Sequence, residues 1–523
     1  MRINRSTFAR SAQAALGGLL AGYAALAVAE LVSAAVRPES GPVTAVGGAA
    51  IDRTPPALKD WAIRNFGTND KLVLQLGIVV VLGLLAVVLG LFALRHRRAG
   101  AAGVLLFGVV GGAAAVTRPD STGLTDALPS LVGALAGAGL LYLLIGRLTA
   151  VRDPEAPASS GWSRRGFLVA AGAAAVASTA AGALGRQLNS TRGRGAAATR
   201  DAVRLPAAGS PAASVPRGAS LRVAGISPFT TPNADFYRVD TALVVPKVSA
   251  DTWRLRIHGK GVDRPRTYTY AELLGRDLIE RDVTLTCVSN EVGGPYVGNA
   301  RWLGVRLADL LREAGVRPPS KGGPADQLVA RSVDGMTLGS PVEDVMDGRD
   351  AMLAVGMNGQ PLPFEHGFPV RMLVPGLYGY VSACKWIQDI ELTTFASYDP
   401  YWVKRKWARR APIKTQARID TPKPFARLGV GATTVAGVAW AQHRGIDRVE
   451  VRVDDGPWRD ADLAVEDTAD TWRQWSFPWQ AAAGGHTLTV RATDRTGAVQ
   501  TEERARTIPD GASGRHSVVV SVD

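Results

Sequence analysis

The sequence predicts a chain of three parts: an α-helical membrane region, an α+β domain and an all-β sandwich. Three observations carry this reading. Apolar residues crowd into roughly the first 190 of 523 positions, where spanning helices are expected. Short strand-like runs broken by Gly and Pro begin at Leu221, and regularly spaced β runs fill the end of the chain. A chain of this length exceeds a single core, so several domains are expected.

Residues 1–150 form the predicted four-helix transmembrane region, with apolar segments at 13–35, 71–94, 101–117 and 126–148. Arg2, Arg5, Arg10, Arg95, Arg97, Arg98, Arg147, Arg152, Arg164 and Arg165 fall on one side of these segments. Arg37, Arg53, Lys59, Arg64 and Arg118 fall on the other, diluted by Glu39, Asp52, Asp60, Asp70 and Asp120. The positive-inside rule therefore puts the N-terminus in the cytoplasm. Residues 160–185 contain Ser163-Arg164-Arg165-Gly166-Phe167-Leu168 and an Ala-rich apolar run, which reads as a twin-arginine-type export signal or a fifth transmembrane helix. Either crossing makes this a multi-pass protein of the cell membrane with the rest of the chain on the extracytoplasmic side. His96, His258, His366, His443, His486 and His516 all lie outside the spans, which excludes a bis-histidine haem within them. Glu30 is the one ambiguous acidic residue in a span. Residues 186–220, rich in Ala, Gly, Ser, Thr, Arg and Pro without a period, read as a flexible linker.

The net charge of +14 and pI of about 10.1 would suit an anionic partner, but the basic residues are scattered arginines without an aromatic-interleaved stripe. Nucleic acid is not expected. Cys287 and Cys384 stand too far apart for zinc-type spacing.

Residues 221–410 mix strand-like runs at 242–245 and 253–257 with helical stretches at 270–278 and 306–314, an α+β pattern. Within them, the β-type run 283–286 delivers Cys287 into a loop of Asn290, Glu291, Val292, Gly293 and Gly294. A sulfur presented in this way can be a nucleophile, a redox thiol or a soft metal ligand.

Three strings go further. The first is Asn233-Ala234-Asp235-Phe236-Tyr237-Arg238-Val239-Asp240. The second is Cys287-x-x-Asn290 followed by Gly298-Asn299-Ala300-Arg301-Trp302. The third runs from Met357-Asn358-Gly359-Gln360-Pro361-Leu362-Pro363 through His366-Gly367-Phe368-Pro369-Val370-Arg371 to Lys385-Trp386. Together they resemble the sulfite oxidase family of molybdopterin enzymes, over about residues 225–410. The resemblance implies a sulfite-oxidase-type molybdopterin domain in which Cys287 is the metal ligand. It implies cofactor contacts from Asn233, Phe236, Tyr237 and Arg238, with Arg238 also acting on an anionic substrate or oxo group. It assigns His366 and Arg371 to the pterin and its phosphate, together with Ser382, Ala383 and Lys385, and Asp334 to the pterin's amino edge. Soft thiolate suits a high-valent molybdenum, and arginine suits phosphate. Cys384 is expected to be structural. Two departures bear on the substrate: Glu291 and Val292 stand where sulfite oxidases carry basic residues, and Trp407 stands at the position of the active-site tyrosine, with Tyr401 nearby.

Residues 411–523 contain β runs at 433–440, 448–454, 472–479 and 486–494 with turn signals between them, the spacing of an immunoglobulin-like sandwich. Gly437-Val438-Ala439-Trp440 and Arg491-Ala492-Thr493-Asp494 resemble the family's dimerisation domain, which implies a homodimer. The whole implies an exported, membrane-anchored molybdenum-cofactor oxidoreductase. It would pass an oxygen atom to or from a small sulfur- or nitrogen-oxo substrate and exchange electrons with an external carrier, having no haem or iron–sulfur motif of its own. The competing reading is a non-catalytic exported binding or structural module on the same fold.

Overall fold

The computed structural model describes residues 5–55, 58, 61, 65–66, 70–149 and 164–523. Arg2, Lys59, Asp60, Arg64, Arg152 and Ser163, which enter the topology and export-signal expectations, lie outside the described residues. The chain divides into two compact units, Met1–Gly195 with Ala242–Val245, and Ala196–Thr241 with Pro246–Asp523.

The first unit is helical: α1 (Arg5–Ala35), α2 (Pro42–Arg53), α3 (Asp70–Ala93), α4 (Arg97–Val116), α5 (Leu128–Thr149) and most of α6 (Arg164–Ala202). Among the described residues, five helices are long and apolar enough to cross a membrane: Phe8–Ala35, Leu72–Ala93, Arg97–Val116, Leu124–Thr149 and Gly166–Ala202. Small residues set their packing. Gly18 of α1 lies against the Ala86 carbonyl of α3, and Gly133 of α5 against the Ala25 carbonyl of α1, with no room for a Cβ at either. Such close backbone approach is how apolar helices gain contact where lipid offers no hydrophobic contrast. The charges of the 36–44 and 117–127 connections neutralise one another: Arg37 Nη2 pairs with Asp126 at 3.0 Å and Asp120 at 3.3 Å, and Arg118 Nε with Asp120 at 2.8 Å. Glu30 accepts a hydrogen bond from Asn189 Nδ2 at 3.0 Å.

The linker expectation is corrected over 186–202. Those residues continue α6: no proline interrupts them before Pro206, and Gly193 and Gly195 are accommodated inside the long helix. Its last turn is fastened in the second unit, where Arg200 donates to the carbonyls of Leu362 (2.7 Å) and Pro361 (2.9 Å). Residues 203–220 are irregular but tied down: Ser210 N donates to Leu278 O and its carbonyl accepts from Glu280 N.

The second unit begins with β1 (Arg254–Gly259), β2 (Arg266–Thr269), β3 (Leu278–Thr286), β4 (Val297–Arg306), β5 (Gln327–Ser332), β6 (Thr337–Pro341), β7 (Met352–Met357), β8 (Gln360–Pro361), β9 (Arg371–Leu373) and β10 (Ile387–Thr393). They form two sheets, β2-β1-β10-β5-β6 and β3-β4-β7-β8, with β9 pairing β7. Short helices intervene at Tyr270–Leu274 and Leu307–Glu313. The first is shorter than the 270–278 expected: a Thr269/Glu272 capping box starts it, Gly275 ends it, and β3 begins at Leu278. The expected strand at 242–245 is irregular, since those residues belong to the first unit and find no strand partner.

From Gln416 the unit is β throughout: β11 (Gln416–Thr421), β12 (Arg427–Leu428), β13 (Gly431–Trp440), β14 (Ile446–Val453), β15 (Arg459–Asp460), β16 (Asp462–Leu463), β17 (Arg473–Ala481), β18 (Gly484–Asp494) and β19 (His516–Val522). The sheets are β11-β13-β17-β16 and β12-β19-β18-β14-β15, and alternate residues such as Val435, Trp475, Phe477, Val449, Val451, Leu488 and Val490 make a common core.

Candidate functional site

Cys287 follows β3, whose last five residues are all buried, so the strand end is rigid. The loop after it closes tightly. The Cys287 N–H donates to Tyr296 O at 2.9 Å, its carbonyl accepts from Asn290 N at 3.0 Å, and Asn290 Oδ1 accepts from Tyr296 N at 2.8 Å. Cys287 itself is 9% exposed, and both cysteines are free thiols. Burial pushes the Cys287 thiol above its usual range, while hydrogen bonds from Ser289 and the charge of Lys385 pull it back. A soft cation is the partner that would hold such a sulfur as thiolate.

Two tyrosines share electrostatic contact with that sulfur. Tyr237 is raised by burial and then by Cys287, and Tyr378 by burial above all, so both phenols stay protonated and can only donate or accept neutral hydrogen bonds. Phe236 stacks on Tyr237 at 5.1 Å and stands edge-on to Trp302 (5.8 Å) and His366 (5.5 Å). Its ring lies against Gly298, where no Cβ would fit.

Arg371 leaves β9 into the same space. Its guanidinium is 6% exposed, lies 5.0 Å over the Trp302 ring and donates once, to His366 O at 3.2 Å. Its Nε is buried without a partner, and among the described residues no carboxylate pairs with it. Burial lowers its pKa to about 10, still charged at neutral pH. A buried cation so incompletely satisfied is costly unless an anion joins it, and a phosphate has the oxygens to do so. This donor set therefore fits the phosphate of a pterin cofactor. His366 is fixed by a 3.0 Å contact between Nε2 and Asn233 O, and burial followed by Arg371 lowers its pKa to about 4. Asn233 in turn joins Met357 O and Asn358 through its amide.

Beside this cluster lies a charged triad. Asp240, its side chain 3% exposed, receives Lys385 Nζ at 3.0 Å and Arg238 Nε at 2.9 Å. Burial lowers Lys385 to about 8 against the opposing pull of Asp240. Arg238 is half-exposed, and the buried cation of the cluster is Arg371. Ser382 is buried with its hydroxyl donating to the Leu377 and Tyr378 carbonyls, and Ala383 offers backbone alone. Asp334 accepts the Met336 N–H within its own turn and couples electrostatically to Cys384, whose thiol burial raises strongly. Arg301 and Asn299 point away: Arg301 is bound by Asp282 and Asn299 by Thr284 and Phe229, which makes them scaffold for β3. Glu291 is exposed, and no cation pairs with it among the described residues.

Sequence reasoning missed Asp240 and Tyr378. The first stood in a quoted string as an acid two residues from Arg238. The second sat in the Tyr378-Gly379-Tyr380 run after Pro375-Gly376, where only tertiary contact with Cys287 gives it meaning. Trp407 packs on Tyr380 at 5.4 Å, and Tyr401 lies under the Arg405 guanidinium at 3.5 Å.

Residues 242–402 match the family described as the oxidoreductase molybdopterin binding domain. The chain is 30% identical over 358 residues to sulfite oxidase of Gallus gallus, an alignment covering 57% of this chain and 76% of that protein. It is 30% identical over 303 residues to mitochondrial sulfite oxidase of Mus musculus, covering 50% and 55%. The chain thus spans about half the length of the mammalian relatives it matches. Sulfane dehydrogenase SoxCD from Paracoccus pantotrophus superposes at 25% identity and a TM-score of 0.48, over 56% of this chain and 84% of that one.

Proposed function

Because the chain belongs to the sulfite oxidase family of molybdopterin-dependent oxidoreductases, we propose that it is a membrane-anchored oxidoreductase whose second unit works outside the cytoplasm. Its reaction is oxygen-atom transfer to or from a small sulfur- or nitrogen-oxo substrate, with electrons exchanged with an external carrier. The five apolar helices and the charge asymmetry of their connections support anchoring with a cytoplasmic N-terminus. The Arg164-Arg165 pair supports twin-arginine export, which suits a protein that must fold around its cofactor before crossing. On this reading the boundaries are 1–150, 160–185, 221–410 and 411–523, with α6 replacing the 186–202 part of the linker. The two-sheet C-terminal part is immunoglobulin-like and the site of homodimer formation.

The observation that carries the proposal is the buried, underpaired Arg371 in one cluster with Cys287, Tyr237 and His366. Cys287 is the metal's protein ligand. Arg371 binds the phosphate, His366 and Asn233 hold the pterin, and the rings of Phe236 and Trp302 exclude water around them. When bound, the molybdenum centre supplies two-electron redox chemistry and an exchangeable oxygen. Tyr237 and Tyr378 keep their protons at neutral pH and so orient a substrate oxygen as donors. Lys385 and Arg238, tethered by Asp240, give the approach a positive charge that favours an oxyanion. Glu291, exposed and without a paired cation among the described residues, stands where sulfite oxidases carry basic residues and so weakens the attraction for sulfite.

Metal and pterin analysis of the full chain tests this. About one molybdenum per chain is expected, absent from a Cys287→Ser variant that still folds. Natively produced protein without molybdenum or pterin overturns the reading. Turnover of neither sulfite nor any S- or N-oxide overturns the substrate class.

A further inference from the structure

Cys287 is held from both sides by residues that come more than a hundred positions later in the chain. Ahead of it, Gln442 Nε2 donates to Thr284 O and to Thr286 Oγ1, both at 3.0 Å. Thr284 is gripped again, its N–H by Asp470 O at 2.9 Å and its hydroxyl by Trp472 N at 2.7 Å. These bonds cover the C-terminal part of the β3 edge, beyond the stretch that Ser210 pairs. Behind Cys287, Arg418 of β11 donates through Nη1 to Gly294 O at 2.8 Å, through Nη2 to Ser227 Oγ at 2.9 Å, and through Nε to Asp420 at 2.7 Å. His516 of β19 lays its ring directly on Gly293, whose φ of 80° and missing Cβ let it approach. That ring is fixed by Ile419 N donating to Nδ1 at 3.0 Å.

We infer that the C-terminal β part acts at the site itself, with Arg418 and His516 as positioning residues that set where the Cys287 sulfur stands. Two features make this more than general packing. The contacts converge on the segments flanking one cysteine, and they reach its loop through the backbone of Gly293 and Gly294, which carry no side chain to lock the loop themselves. A loop of Asn and Gly loses much conformational freedom on ordering. Held externally, it presents the sulfur at one place, as a metal ligand needs when its partner atoms come from a rigid chelate. The inference rests on the proposed role of Cys287 as metal ligand.

The test uses the full chain in detergent, comparing wild type with His516→Ala, Arg418→Met and Arg491→Ala. The last breaks the Arg491–Glu450 pair between β18 and β14, in the same sheet as His516, and makes no bond to the loop itself. Amide exchange is followed in peptides covering 287–296, together with the paramagnetic resonance spectrum of the partly reduced holoenzyme, whose line positions track the geometry of the sulfur at the metal. Exchange at least about tenfold faster, with a shifted spectrum, is expected in His516→Ala and Arg418→Met, and neither change in Arg491→Ala; tenfold is about 1.4 kcal/mol of opening free energy. His516→Ala leaves Asp420 paired, so it keeps the test decisive if Arg418→Met fails to accumulate. Wild-type exchange and spectrum in the folded His516→Ala protein, or equal changes in Arg491→Ala, overturn the inference. Wild-type protein lacking molybdenum would instead overturn the ligand role of Cys287, and the exchange data would still decide whether the clamp exists.

Discussion

Arg371 and Arg418 are guanidinium groups buried to a similar degree, 6% and 9% exposed, in the same compact unit. Arg418 is satisfied on every side that faces protein: a carboxylate, a carbonyl and a hydroxyl receive it. Arg371 has one carbonyl, an aromatic face and an orphaned Nε. Burying a charge is tolerable only when its hydrogen bonds are replaced. The completed set marks a strut, and the incomplete one leaves a charge able to take up the anion proposed above. The difference distinguishes these two arginines where residue type and burial alone do not.

Opposite signs on removal would sharpen the contrast most. Arg418→Met leaves Asp420, 4% exposed, without its cation, so a loss of about 3–5 kcal/mol is expected in thermal or denaturant unfolding. Arg371→Met removes an uncompensated charge and is expected to leave the cofactor-free protein equally or more stable. Its cofactor retention should fall about ten- to a hundredfold, read as molybdenum per chain after dialysis. Equal destabilisation by both variants would erase the distinction.

The pH dependence should follow the same division. Burial, then Arg418, lowers the pKa of His516 from 6.5 to about 4, with Asp420 opposing and Arg504 adding to the fall. The folded state therefore binds fewer protons than the unfolded chain between those values. The stabilisation is full above pH 6.5 and is lost as pH falls toward 4, by about 2 kcal/mol from pH 7 to 4.5. His516→Gln should flatten that slope in melts across the range. The smallest effect belongs to a pair that water already serves. Arg276 and Glu313 meet at 2.6 Å with side chains 28% and 44% exposed, and Arg276→Ala should cost less than about 1 kcal/mol. A larger loss would mean that burial is the wrong axis of comparison.

The sequence by itself determined the elements that depend on local pattern. Helices long and apolar enough to cross a membrane show as runs of apolar residues, since a helix bonds every backbone group internally. The β runs 433–440, 448–454, 472–479 and 486–494 show as β-type stretches between turn signals, with alternation clearest at 448–454, and the strands cover them within a few residues. The motif strings brought Asn233, Phe236, Tyr237, Cys287, His366, Arg371 and Lys385 into view before any fold was known. Other features were set by contact between distant segments. Residues 186–202 became helix by continuing α6, and 242–245 lost their strand for want of a partner. Arg238 took its place at Asp240 beside Lys385, while Arg371 held the buried position. Tyr378, Arg418 and His516 acquired roles only by meeting the Cys287 segment from elsewhere in the chain. Pattern is a property of neighbours in sequence, whereas the satisfaction of a buried charge depends on what the completed fold brings to it.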